Sequence, residues 1–251
     1  MKQISVFLAV TLLFLCFPFL ASAAVLGSNT IIVGTESTYP PYEFRDEKNN
    51  LQGFDIELME TIAKKLGKKL EWVDMPFDSL IPSLLAKKIH IVAAGMSATP
   101  ERAKRVAFST PYEISMSTFI VQAKNNSMKE LNDMKGKTIA VQLGTVQESF
   151  SRSIEGAAVK TFQKFDDCVR EVILGRADAS LMDIPVAKKF LEQRDFEGEI
   201  AAAFKQEITG AGKAMAIHLE EKDFLNAVNK ALTEIIDSGE LQDLQKKWFN
   251  N

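Results

Sequence analysis

The sequence predicts an α/β protein of two similar lobes, joined by two strands and facing each other across a cleft. Three observations predict it. A β-α-β-α-β order of apolar runs occurs over residues 30–93 and again over 137–183. Each occurrence ends its strands in turns rich in glycine, serine and threonine. Two β-prone runs, 115–122 and 213–218, stand where linkers between the halves belong. Alternating strands and helices imply parallel sheets with right-handed crossovers, and the crevice of such sheets lies beyond the carboxyl ends of the strands. The division that follows is 24–116 for the first part of lobe one, 117–212 for lobe two and 213–251 for the completion of lobe one. Two lobes on two linkers close by a hinge.

Residues 1–23 read as an export leader. Lys2 gives a positive start, residues 4–20 are almost wholly apolar, and Ala21-Ser22-Ala23 offers small residues for cleavage. Phe14 and Leu15 precede Cys16 where lipid modification needs small residues. The expected compartment is the periplasm. With the leader removed, Cys168 alone remains, so no internal disulfide forms, and a buried small hydrophobe is expected there.

Along the rest of the chain, residues 30–35 are β-branched and read as a strand. Residues 36–44 hold Pro40 and Pro41, which exclude a helix, so a loop with aromatics and acids is expected. Asp55 is expected to cap a helix that buries Leu58, Met59, Ile62 and Leu66 and ends at Gly67. Strands at 70–73 and 89–93 flank a helix at 79–88. In the second half, strands at 137–141, 159–162 and 179–182 alternate with helices at 147–154, 166–174 and 185–192. Gly210-Ala211-Gly212 breaks the chain. Helices at 222–237 and 240–249 close it.

The stretch Gly95-Met96-Ser97-Ala98-Thr99-Pro100-Glu101-Arg102 leaves the end of a strand and enters a short helix. Thr99 suits the N-cap, Pro100 the first helical position and Glu101 the positive end. Free amides and an arginine fork at one strand end make a receptor for a carboxylate. On the residues alone, a surface pair of Arg102 with Glu101 and a helix-capping Asp183 are the plainer readings.

Five motifs in order change that balance: Gly34-Thr35-Glu36-Ser37-Thr38-Tyr39-Pro40-Pro41-Tyr42-Glu43-Phe44, Gly53-Phe54-Asp55-Ile56-Glu57-Leu58, the Gly95 to Arg102 stretch, Leu143-Gly144-Thr145-Val146-Gln147-Glu148, and Gly175-Arg176-Ala177-Asp178-Ala179 leading to Asp183. Across nearly the whole exported chain the sequence resembles the periplasmic polar amino-acid-binding proteins of ABC importers. The resemblance implies the periplasmic-binding-protein-like fold, with a free amino acid held in the cleft and delivered to an importer's membrane subunits by a monomer. It implies that Arg102, with amides from Ser97 and the Thr145–Val146 turn, holds the α-carboxylate. Asp183, helped by the Gly95 carbonyl and the Ser97 hydroxyl, would hold the α-ammonium, with Met96 in the same turn. Tyr39 and Phe77 match aromatic walls around the ligand side chain, and Glu36 matches an acid that favours a cation there. Gln142, at a strand end facing the cleft, leans the reading towards arginine, with glutamine the alternative. Ala94 and Val146 stand where related receptors often have hydroxyls.

Other classes find less support. The mild acid excess, a net charge of −3 over the whole chain, argues against nucleic acid or an anionic membrane as partner. No cofactor or metal is implied, and the chain has no phosphate loop or nucleophile elbow. Some proteins of this fold are periplasmic dehydratases, which need a placed general acid. The two histidines, His90 and His218, sit at a strand start and at the end of a β-prone run, and both read as structural or surface residues.

Overall fold

The computed structural model of the chain describes residues 25–114, 116–125, 127–208 and 212–249. The leader, Ser115 at the start of the first linker, and Gly210 and Ala211 of the expected break lie outside the described residues.

In chain order, β1 (Thr30–Thr35) is followed by three short strands, β2 (Thr38–Tyr39), β3 (Glu43–Arg45) and β4 (Leu51–Gln52). These pair antiparallel into a small sheet that takes in the stretch expected to be loop and continues beyond it to β4. Helix α1 (Phe54–Lys65), β5 (Lys69–Asp74), α2 (Phe77–Leu85), β6 (Ile91–Val92), α3 (Pro100–Ala103) and β7 (Ala107–Phe108) complete the first run. The chain then passes through β8 (Ser117–Gln122), β9 (Thr138–Gln142), α4 (Val146–Ser153), β10 (Ala158–Phe162), α5 (Phe165–Ile173), β11 (Ala179–Asp183), α6 (Ile184–Glu192) and β12 (Ile200–Gln206). It ends in β13 (Ala216–Ile217), α7 (Lys222–Asp237) and α8 (Glu240–Phe249).

Two five-stranded sheets result, in the orders β5-β1-β6-β13-β7 and β10-β9-β11-β8-β12. Both are mixed, where parallel sheets were expected. In the first, β5, β1 and β6 run parallel and β13 is antiparallel to β6 and β7. In the second, β10, β9 and β11 run parallel and β8 is antiparallel to β11 and β12. The two runs expected as linkers are therefore integral strands, one per sheet. The crossings lie just before them, and they meet: Lys213 bridges Glu113 and Ser97, its N–H donating to the Glu113 carbonyl at 2.7 Å. Helices cover both sheets. Ile31, Val33, Leu58 and Ile62 join Phe165, Val169 and Phe190 in one core, while Leu80, Leu84 and Val92, and Phe119, Ile139 and Leu181, pack the outer faces.

Asp55 does not cap α1. Gly53, at φ 136°, takes the N-cap place, and the buried Asp55 carboxylate accepts from the Gly95 N–H at 2.7 Å and the Tyr112 hydroxyl at 2.6 Å. Cys168 is buried, and His90 Nδ1 accepts from the Ile32 N–H, a structural role. Among the described residues no helix is long and apolar enough to cross a membrane.

Candidate functional site

The carboxyl ends of β1, β6, β9 and β11 converge between the two sheets, as the topology requires. The lobes are drawn together there. A narrow pocket lies between them, its cavity volume about 20 Å³, room for about one water with the lobes this close. It is lined by nine of the sequence-predicted residues: Glu36, Tyr39, Phe77, Gly95, Ser97, Arg102, Gln142, Thr145 and Val146. Gly144, at φ 80°, permits the close approach, because a Cβ there would stand 2.9 Å from the Asp78 side chain on the opposite lobe.

Arg102 rises from α3 and spans the cleft. Thr99 caps that helix, its hydroxyl accepting from the Arg102 N–H at 3.2 Å. The guanidinium donates to the Ser97 carbonyl at 2.8 Å on its own lobe and to the Gly144 carbonyl at 2.9 Å on the other. Its carbon lies 5.3 Å from the centre of the Phe77 ring. No carboxylate pairs with it among the described residues. Glu101 pairs instead with Lys104, so the surface pair considered for Arg102 is not formed. Burial alone lowers the guanidinium to about 10. A shielded cation held only by carbonyls is an anion seat. The start of α4 faces it, with Thr145 as N-cap, its hydroxyl accepting from the Glu148 N–H and donating to the Gln142 carbonyl.

Asp183 is built the opposite way. It occupies the N-cap position of α6 without making a cap bond. Its carboxylate accepts from Tyr39 Oη at 2.6 Å, Gln147 Nε2 at 3.0 Å and Ser117 Oγ at 3.1 Å, and it forms an ion pair with the buried Lys213. Gly95 gives its N–H to Asp55 and Ser97 its carbonyl to Arg102; neither bond uses the Gly95 carbonyl or the Ser97 hydroxyl expected around an α-ammonium. Asp183 lines an adjoining pocket instead, with Ser97, Val146 and Lys213. Met96 lines a neighbouring pocket of the cleft with Phe77, Arg102, Thr145 and Val146. It is 1% exposed and packs with Leu80, Val92 and Val106 beneath the turn, since the residue between Gly95 and Ser97 faces the apolar side of the sheet.

Glu36 is buried and accepts from Thr38 Oγ1 at 2.6 Å and, across the cleft, from Gln142 Nε2 at 3.0 Å. Burial raises its carboxyl above the ordinary value, against the pull of those two bonds. Tyr39 stacks between Phe165, 4.9 Å between centroids, and Tyr42, 5.5 Å. It and Phe77 line one pocket but do different work: Tyr39 is committed to Asp183 and Phe77 to Arg102.

The pocket residues missed in the sequence are Glu43, Gln147 and Lys213. Glu43 was visible inside the proline motif, next to Tyr42. Gln147 lies in the first turn of α4, at the helix end that faces the cleft. Lys213 was visible as a lone cation opening an apolar run. Beneath the pocket, Glu43, Asp55 and Glu113 form an acidic layer around Lys213. Burial raises Glu43 well above the usual carboxylate range, Asp55 to about 6 and Glu113 to about 7, with Lys213 pulling each the other way. Among the described residues no group of histidine, cysteine and acid side chains is arranged to hold a metal.

Comparison with known proteins places this geometry. The model of the bacterial extracellular solute-binding proteins, family 3, matches residues 31–251. The arginine-binding extracellular protein ArtP of Bacillus subtilis is 37% identical over 232 residues, which cover 91% of this chain and 89% of that protein. An ancestral arginine-binding protein solved with arginine bound superposes with a TM-score of 0.84 at 38% identity, over 88% of this chain and 99% of the other. The ancestral amino-acid-binding protein AncCDT-1, a precursor of cyclohexadienyl dehydratase, gives 0.79 at 34% identity, over 90% and 97%.

Proposed function

We propose a function from one premise: this chain belongs to the bacterial extracellular solute-binding proteins, family 3. It captures a free amino acid, with arginine the favoured ligand, by closing two lobes on it, and delivers it to the membrane subunits of an ABC importer. The leader at residues 1–23 takes it to the periplasm, where it works as a monomer. ATP hydrolysis that drives uptake belongs to a separate subunit.

One observation carries the reading: Arg102, shielded in the cleft, has carbonyls from both lobes as partners and, among the described residues, no carboxylate. An α-carboxylate there gains charge-assisted bonds worth roughly 1.5–3 kcal/mol each, and contacts on both lobes favour the closed state. Several such bonds reach micromolar affinity or tighter after the entropy of binding. Glu36 supplies an acid for a cationic side chain, and Gln142 a polar group beside it. The arginine-binding relatives support the same ligand. Glutamine is the runner-up, because Gln142 Nε2 already holds one Glu36 oxygen and that pair suits an amide as well.

Calorimetry on Glu36→Ala tests the choice. Arginine affinity is expected to fall about tenfold more than glutamine affinity. Equal losses overturn the assignment to arginine.

A dehydratase is the second reading, and one feature favours it. Glu43 lines the pocket, and burial raises its carboxyl well above the usual carboxylate range, the direction a general acid needs. Turnover of prephenate or arogenate by the purified chain would select this reading, and its absence alongside arginine binding selects the receptor.

A further inference from the structure

An amino-acid site built on Asp183 has no need of a lysine, yet the Lys213 ammonium is buried against that carboxylate. We propose that Lys213 is a tethered counter-ion sitting in the ammonium place of the site, and that an amino acid binds by displacing it towards the buried carboxylates Glu43 and Asp55. This rests on the reading of the cleft as an amino-acid site.

The backbone of Lys213 is pinned. Its N–H bonds the Glu113 carbonyl, its carbonyl accepts from the Tyr112 N–H at 2.9 Å, and the neighbouring Ala214 N–H bonds the Met96 carbonyl at 2.9 Å. The segment is part of the crossing between the two sheets, so only the side chain is free to relocate. Its ammonium lies over two rings, 5.5 Å from the centre of Tyr42 and 5.9 Å from that of Tyr39. A second berth adjoins the first. Glu43 Oε2 and Asp55 Oδ1 are buried with no hydrogen-bond partner among the described residues. Lys213 is close enough to act on both carboxyls, and on Glu113, through its charge. These two unpartnered carboxyl oxygens can accept from the ammonium, whose charge pulls both groups back towards ionisation, and that offsets what it loses on leaving Asp183.

Two consequences follow for function. The empty protein keeps Asp183 neutralised, with an ion pair from the crossing segment to the end of β11 helping to hold the cleft shut. The ligand's ammonium then contributes little net affinity, because it replaces a cation already in place.

The test compares arginine with 5-guanidinopentanoate, which is arginine without the α-ammonium, by calorimetry. Unmodified protein is expected to prefer arginine by less than about tenfold, and Lys213→Met by about a hundredfold, since the seat on Asp183 is then empty. Lys213→Gln serves if the methionine variant does not fold. A hundredfold preference in the unmodified protein, or the same ratio in protein and variant, overturns the counter-ion while leaving the receptor standing. Failure of every free amino acid to bind either protein overturns the receptor reading and the counter-ion with it.

Discussion

At one end of the cleft Arg102 has two carbonyls for partners; at the other, Asp183 has three hydrogen-bond donors and a lysine. Both are charged groups at strand ends, one on each lobe, and both were expected from the sequence to grip opposite poles of one ligand. The structure makes them unequal. The cationic end lacks a counter-charge among the described residues, so an arriving anion supplies something new. The anionic end is saturated, so an arriving cation must exchange with what is there. Charges at a binding site do not contribute by their sign alone. They contribute by what they lack before the ligand comes.

The widest test of that inequality is a matched pair of substitutions. Arg102→Met is expected to weaken binding of arginine at least a hundredfold, because the ligand carboxylate is then buried without a partner. Asp183→Asn is expected to weaken it by about tenfold or less. Calorimetry reads both, and losses of equal size would erase the distinction between the two ends.

A smaller effect concerns the acidic layer behind Asp183. Asp55 at about 6 and Glu113 at about 7 hold protons in the fold that the unfolded chain releases near pH 4. The folded state therefore binds more protons across that window, and stability falls as pH rises through it. The melting temperature is expected to be about 4 °C lower at pH 8 than at pH 5.5, and Glu113→Gln to flatten the dependence. The Arg102 end, whose guanidinium titrates near 10, contributes nothing in that range. A melting temperature that rises with pH from 5.5 to 8 contradicts this account of the layer.

Much of the fold was legible because its signals are local. Helices α7 and α8 follow strong three- and four-residue apolar spacing, and their bounds match the expectation. The strands missed were β2, β3, β4 and β7, each only two or three residues long, and β12, whose alanines carry little β signal. The antiparallel placement of β8 and β13 was hidden because sheet order is set by long-range pairing, which no window of sequence contains. The site divided along the same line. Thr99 and Thr145 announce their helix starts, and Arg102 and Glu36 sit in motifs tied to strand ends. Asp183 was found but not its saturation, because Tyr39, Ser117 and Lys213 come from three distant parts of the chain. Met96 sits below its turn, packed with Leu80 and Val92, yet it lines a neighbouring pocket of the cleft with Phe77, Arg102 and Val146.

The central claim is that Arg102 waits for the carboxylate of a free amino acid. Agmatine is arginine without that carboxylate, and titrating the two against the purified protein by calorimetry measures the claim most directly. Binding of arginine with agmatine at least a hundredfold weaker is the predicted result. Agmatine bound as tightly as arginine would contradict it.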